Sequence, residues 1–269
     1  ACACEHLAPE CQGGLFQQRY RSRDWRPAAA QETTLVQVAP ADRLMGLNIK
    51  NRRGEKLGKL NNIAIDLTNG VIAYGVMDTG LMGNLLAVPW DALTLNLDEK
   101  TATLDVDTEM LQSAPGFGRD RWPDSVERQW LADVYTYYGY PSHPGLTVVT
   151  VEKVPVARAT TLVGMKVRNP QRENLGGIEN LMIDLVGGRV AYAVFDTGGF
   201  LGLGKKLRAV PWKAMTLEPI ERVVVLTIDK EKLQHAPTIQ KSRSTEAADR
   251  HWLSQVYAYY GAEPYWEKM

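Results

Sequence analysis

At 269 residues the chain holds enough polypeptide for about two domains of ordinary size, each able to bury a core of its own. Apolar residues make up 45% and charged residues 23%, which excludes disordered and fibrous classes, and 31 Lys plus Arg balance 31 Asp plus Glu, which removes the basic footprint of a nucleic-acid binder. No run reaches the roughly 18 apolar residues needed to cross a bilayer as a helix.

Residues 1–41 read as an N-terminal extension. All three cysteines lie there, at Cys2, Cys4 and Cys11, so nothing downstream holds an internal disulfide. Beginning at Ala1 and not at an initiator Met, the sequence suggests a removed leader or a fragment. Three readings of the cysteines stand: a bacterial lipid anchor, a disulfide such as Cys4 with Cys11, and a metal site with His6. The last has the spacing C-x-C-x-H-x4-C, which matches no common zinc pattern. Further along, Phe16, Arg19, Tyr20, Arg21, Arg23, Trp25 and Arg26 interleave aromatic and basic side chains. Such a stretch is either a solvated arm or a docking arm that orders against a partner or acidic lipid headgroups.

From residue 42 the sequence repeats itself. Leu44-Met45-Gly46 returns as Leu162-Val163-Gly164, Leu57-Gly58 as Leu175-Gly176, Asp66 as Asp184, and Asp78-Thr79-Gly80 as Asp196-Thr197-Gly198. The offset is 118 (44 to 162) up to this point and 122 (90 to 212) beyond it, with one insertion near 202–206. In the second register Ala87-Val88-Pro89-Trp90 pairs with Ala209-Val210-Pro211-Trp212, Ala114-Pro115 with Ala236-Pro237, and Tyr137-Tyr138-Gly139 with Tyr259-Tyr260-Gly261. A register held this long marks a duplicated unit.

Each copy opens with strands. In the first, residues 63–66 and 71–77 flank Asn69-Gly70, a pair suited to a tight primed turn, and the second copy has Gly187-Gly188 in that place. Further strands are expected at 85–88, 93–97 and 101–106, with counterparts at 208–210, 215–217 and 223–228. Short strands punctuated by glycine predict a small closed or nearly closed barrel. The period then changes to a helical one. Val126, Trp130, Leu131, Val134, Tyr135 and Tyr138 form one stripe, repeated by Ala248, Trp252, Leu253, Val256, Tyr257 and Tyr260. Asp124 with Glu127 would cap the first helix, and Gly139 and Gly261 sit where a helix C-terminus favours glycine. The stripe is expected to pack on its own barrel, whereas Tyr137 and Tyr259, off the stripe, are candidates for contact with a partner. Between the copies, 142–160 reads as a linker around Pro141-Ser142-His143-Pro144-Gly145, with a β-rich run at 146–151.

Two motifs invite an enzymatic reading. An Asp-Thr-Gly triplet in each repeat is what a two-lobed aspartic protease shows, one carboxylate per lobe sharing a proton. Here Leu81 and Gly199 follow the triplets, and a hairpin turn explains the same residues. The run from Gly198 to Lys206 has the glycine content of a phosphate loop, but such a loop must open a helix, and the next element predicted is a strand. His6, His143, His235 and His251 occupy unrelated places, so no duplicated base is legible.

Taken together, the Gly46 and Gly164 openings, Leu57-Gly58 and Leu175-Gly176, the strands ending in Asp66 and Asp184, and the hairpin Gly198-Gly199-Phe200-Leu201-Gly202-Leu203-Gly204 leading to Ala209-Val210-Pro211-Trp212 resemble the PRC-barrel family. Copy one departs from it at 81–86, where the glycine hairpin is shorter. The resemblance implies a mainly β chain of two tandem small PRC-type barrels, each followed by a C-terminal helix: copy one at 42–141, copy two at 161–269. It also implies a non-enzymatic module for protein contact, with no cofactor, metal or catalytic residue. The family includes the extrinsic domain of the H subunit of photosynthetic reaction centres and the C-terminal domain of a ribosome maturation factor. Zero net charge weighs against the second use. The expectation is an extrinsic accessory subunit of an integral membrane complex, with the photosynthetic reaction centre and its antenna first in line. The periplasmic face is favoured and the cytoplasmic face is the alternative. Residues 1–41 and the copy-two hairpin, with Phe200, Leu201, Leu203, Lys205 and Lys206, would supply the contacts.

Overall fold

Alternating apolar residues in both copies condense into short strands, and the computed structural model describes them over residues 35–80, 84–141, 152–198, 206–218, 221–239 and 247–268. In chain order the first half contains β1 (Leu35–Pro40), α1 (Ala41–Leu44), β2 (Asn48–Lys50), β3 (Lys56–Asp66), β4 (Ile72–Asp78), β5 (Asn84–Val88), β6 (Leu93–Asn96), β7 (Thr101–Leu104), β8 (Gly116–Gly118), β9 (Ser125–Glu127) and α2 (Arg128–Tyr137). The second half contains β10 (Lys153–Arg158), α3 (Ala159–Leu162), β11 (Lys166–Arg168), β12 (Asn174–Asp184), β13 (Arg189–Asp196), β14 (Leu207–Val210), β15 (Met215–Glu218), β16 (Val223–Leu226), α4 (Lys230–Gln234), β17 (Ala247–Asp249) and α5 (Arg250–Tyr260). The chain is mainly β and carries the same unit twice.

The two sheets share one strand order. Copy one runs β6-β7-β2-β3-β4-β5-β8 and copy two β15-β16-β11-β12-β13-β14, with β2 parallel to β7 and β11 parallel to β16. The sheet of copy one curls back on itself. A Cβ on Gly75 of β4 would stand 3.3 Å from Cδ1 of Leu93 at the start of β6, so strands far apart along the sheet approach across the interior. Ile49, Leu60, Met77, Ala102 and Leu104 are fully buried within the first curl.

The strands that open each copy are exchanged. β1 precedes copy one in sequence, yet Val38, Ala39 and Pro40 pair with Asp184, Ile183 and Met182 of β12, and Leu35, Val36 and Gln37 with Asp249, Ala248 and Ala247 of β17. Reciprocally, Val156, Ala157 and Arg158 of β10 pair with Asp66, Ile65 and Ala64 of β3, and Lys153, Val154 and Pro155 with Glu127, Val126 and Ser125 of β9. The segment 142–160, expected to be a linker, therefore supplies a structural strand to copy one, and the extension expected at 1–41 ends in a strand of copy two. The reason is geometric. β2 has three residues and covers only the first part of the eleven-residue β3, leaving the far half of that edge to be paired.

A second contact locks the pair at its centre. Val71 and Arg189 form an antiparallel bridge, with the Ile72 N–H donating to the Gly188 carbonyl and the Val190 N–H to the Gly70 carbonyl, both at 2.8 Å. Trp90 and Trp212, the last residues of the two Val-Pro-Trp motifs, reach across it. A Cβ on Gly70 would fall 2.6 Å from Trp212 Cγ, one on Gly188 would fall 2.9 Å from Trp90 Cδ1, and both glycines hold positive φ, at 75° and 57°. Trp90 Nε1 donates to the Leu185 carbonyl at 3.1 Å, and Asn62 Nδ2 to Thr160 Oγ1 at 2.8 Å, both between copies.

The helices pack on their own sheets. Leu131, Val134 and Tyr135 of α2 are buried, as are Leu253, Val256 and Tyr257 of α5. The Tyr135 hydroxyl donates to Ala73 O at 3.1 Å and Tyr257 to Ala191 O at 2.7 Å, each on the central strand of its own copy. Gly139 and Gly261 take positive φ just past the helices. The expected Asp124 and Glu127 cap does not form. Residues 125–127 pair with β10 instead, which places Val126 in a strand and starts α2 at Arg128.

Candidate functional site

The repeated carboxylates are used by the backbone. Asp66 Oδ1 accepts the Thr68 N–H at 2.8 Å, and Asp184 Oδ1 accepts those of Val186 and Gly187, shaping the two central turns. Asp184 Oδ2 also accepts the hydroxyl of Tyr265 at 2.8 Å. In the triplets, Asp78 Oδ1 accepts Gly80 N–H and Asp196 Oδ1 accepts Gly198 N–H, at 2.9 and 3.0 Å. Arg119 Nη2 donates to Asp78 at 2.7 Å and, with the Gly80 N–H, holds its carboxyl below the usual range. Because β4 and β13 start from an antiparallel bridge, they run in opposing directions, each carrying its Asp about 20 Å from the centre. The triplets do not share a cleft, so the geometry of a two-lobed aspartic protease is not formed. Among the described residues no group of three or more His, Cys, Asp or Glu stands where it could hold a metal ion.

The residues expected to meet a partner are distributed as follows. Phe16, Arg19, Tyr20, Arg21, Arg23 and Trp25, the cysteines Cys2, Cys4 and Cys11, and Phe200, Leu201, Leu203 and Lys205 of the hairpin lie outside the described residues. Lys206 is exposed at the mouth of β14, and its carbonyl accepts Thr197 N–H at 3.3 Å and Thr197 Oγ1 at 3.1 Å. Tyr137 and Tyr259, expected to meet a partner, are half-buried and hydrogen-bonded within their own copies. The Tyr137 hydroxyl donates to Met110 O and its ring stands edge-on to Tyr138 at 5.2 Å, while the Tyr259 hydroxyl donates to Lys232 O at 2.5 Å. These bonds tie the closing helix of copy one to the short helical segment 108–113 and that of copy two to α4, because an off-stripe tyrosine can reach those carbonyls.

The two copies differ most on the outer face of the central sheet. In copy one, β8 pairs with β5 in the register Asn84 with Gly118, Leu85 with Phe117 and Leu86 with Gly116. Gly116 permits this, since a side chain there would collide with the Leu85 carbonyl. The ladder lays Phe117 edge-on to Tyr74 at 6.3 Å and to Trp122 at 5.0 Å, Trp130 meets Tyr74 at 5.5 Å, and the Arg158 guanidinium lies 5.2 Å over the Trp122 ring. Copy one therefore covers its face with its own aromatic segment.

In copy two the residue at the place of Gly116 is Thr238, which forms a bridge with Arg208, and the Ile239 N–H donates to the Leu207 carbonyl at 3.1 Å. Ile239 stands for Phe117 and Ser244 for Trp122. A cavity of about 300 Å³ lies on this face, with Met182, Tyr192, Val194, Leu207 and Ile239 around it and Pro40, Asp42, Arg43, Glu179 and Asn180 from β1, α1 and β12 along its side. Burial pushes the Tyr192 hydroxyl up to about 12, so it stays protonated at neutral pH. Asp42 and Glu179 escaped notice in the sequence because they meet only through the exchanged strand. The missing aromatics of copy two were legible by comparing the repeats.

The model of the PRC-barrel domain matches residues 38–111 and 155–233, together more than half of the chain. Both matches include part of the exchanged strand, so each family unit in sequence lends its first strand to the other in space. No curated protein matches the chain.

Proposed function

Since the chain belongs to the PRC-barrel domain family, we propose that it is a protein-binding scaffold without catalysis of its own, an extrinsic accessory subunit that stabilises an integral membrane complex, with the photosynthetic reaction centre and its antenna as the leading assembly. One observation carries the reading: two barrels are joined into one body by exchanged strands, and their duplicated carboxylates are committed to turns. A stiff body with two similar heads suits holding partners at fixed spacing, and no helix of the described residues is long and apolar enough to cross a membrane. Attachment is then through protein contact and the N-terminal segment, on the periplasmic face by first choice.

The test is co-purification. Tagged full-length chain, expressed in its native host, should come down with a membrane complex, and deletion of residues 1–35 should release it. Unchanged retention of the deletion would remove the N-terminal segment from the reading. Recovery of the full-length chain alone, with no complex, would overturn the scaffold itself.

A further inference from the structure

We propose that the outer face of β6, β7, β2 and β3 in copy one, around Lys50, Lys56 and Lys59, holds an extended acidic segment of a partner protein whose carboxylates alternate along it. The inference rests on the scaffold reading and names the surface and the chemistry of what it holds. Two rows of side chains cross these strands. Lys59 stands opposite Asn48 in one row and Lys50 opposite Lys56 in the next, and β6 and β7 add only threonine and asparagine beside them. Like charges set directly across a strand pair are unfavourable unless an anion lies between them. The three lysines are exposed, and among the described residues none of them makes an ion pair. The carboxylates that border the face are taken: Arg119 holds Asp78, Arg53 holds Glu55 and Asp107, and Arg52 holds Asp105.

Copy two shows how this face answers a cation. At the place of Lys50 it has Arg168, which donates to Glu218 at 2.7 Å and to Glu221 at 2.5 Å, carboxylates of β15 and the turn after it. Copy one has Asn96 where Glu218 stands, and lysines where copy two has Asn174 and Gly177, so a carboxylate is withdrawn and cations are added on the same strands. Glu99 keeps the place of Glu221 and pairs with none of the three lysines. Charge therefore calls for carboxylates from outside the chain. Spacing calls for an extended segment, since rows of a sheet lie about 6.7 Å apart along the strands, the interval of alternate side chains in an extended chain. Two carboxylates of one such segment reach Lys59 and the Lys50 and Lys56 pair together. A bilayer fits less well, because anionic lipid recognition takes clusters of about four to eight basic residues and neither row offers an apolar side chain to insert.

The experiment titrates a labelled peptide, Thr-Glu-Thr-Glu-Thr-Glu-Thr, into full-length protein by fluorescence anisotropy at low salt. Saturable one-site binding is expected, weakening as salt rises and at least about fivefold weaker when the same residues are reordered as Glu-Glu-Glu-Thr-Thr-Thr-Thr. Lys50→Glu with Lys56→Glu should lower the affinity at least about tenfold, whereas Lys166→Glu with Lys213→Glu, the same change of charge on copy two, should leave it within about twofold. All four side chains are exposed, so an unchanged thermal melt separates a lost contact from a lost fold. No saturable binding, equal binding of the reordered peptide, or equal loss in the two variants overturns the proposal. So does binding to phosphatidylserine and phosphatidylcholine vesicles that needs Lys50 and Lys56 while the peptide does not bind, which would make the face a lipid contact. If the full-length chain still brings down a membrane complex while the peptide fails, only this surface is wrong; if it brings down none, the scaffold reading fails separately.

Discussion

Gly70 and Gly188 show how much one residue decides. Each closes a four-residue turn with positive φ, in place of the two-residue primed turn expected at Asn69-Gly70, and a Cβ at either place would also strike a tryptophan of the other copy. Gly70→Ala should cost about 2–4 kcal/mol, combining left-handed strain with overpacking. In a Trp212→Ala background, itself about 3–5 kcal/mol less stable, the same change should cost only the backbone share, about 1–2 kcal/mol. Denaturant unfolding of the four proteins of this cycle measures the coupling, and strict additivity would sink the contact. Asp78 is the second residue whose role is testable. Its folded carboxyl is held below its ordinary value by Arg119, so that stabilisation is present above about pH 4 and is lost as pH falls through the folded value. Asp78→Asn should lower the melting temperature by less than about 4 °C at pH 7, since the pair is partly exposed, and the gap to the parent should narrow as pH falls below the ordinary carboxylate value. A larger loss at neutral pH would point to a role for Asp78 that a turn does not explain.

At the scale of elements, the two helices were legible by their stripe, and Leu131, Val134 and Tyr135 bury as the period predicts. What the stripe could not say is that their tyrosines hydrogen-bond to the central strand. Burial pushes the hydroxyls of Tyr74, Tyr135 and Tyr257 above their ordinary value, so each stays protonated in the folded state. The sign follows: stability is intact below about pH 10 and declines as pH rises past the unfolded tyrosine value. Tyrosinate absorbance should therefore rise in two stages, exposed phenols first and the buried set together with loss of circular-dichroism signal. Non-cooperative ionisation with the fold intact would contradict this packing. The strands β1 and β10 are the elements misread from sequence, because a run of apolar residues specifies a strand but not which sheet accepts it.

For the whole molecule, the exchange makes the two copies parts of one fold. A chain ending at residue 141 leaves the far edge of β3 unpaired at Ala64, Ile65 and Asp66 and carries a β1 with no β12 to meet. Expressed alone, residues 35–141 should self-associate or unfold. Co-expressed with residues 152–268 as a second chain, they should form a one-to-one complex, measured by size-exclusion chromatography with light scattering. A monomeric, cooperatively unfolding single half would show that the exchanged strands are dispensable.

The β class of each unit, the turn glycines and the closing helices were written in the sequence because each depends on spacing within about ten residues, and the duplication because its register repeats in identical residues. The partner of each opening strand, the tryptophans that reach across the centre and the separation of Asp78 from Asp196 were decided only by the tertiary structure. The contacts among them join residues about ninety positions or more apart, and local periodicity carries no information about which of two similar edges such a residue will meet.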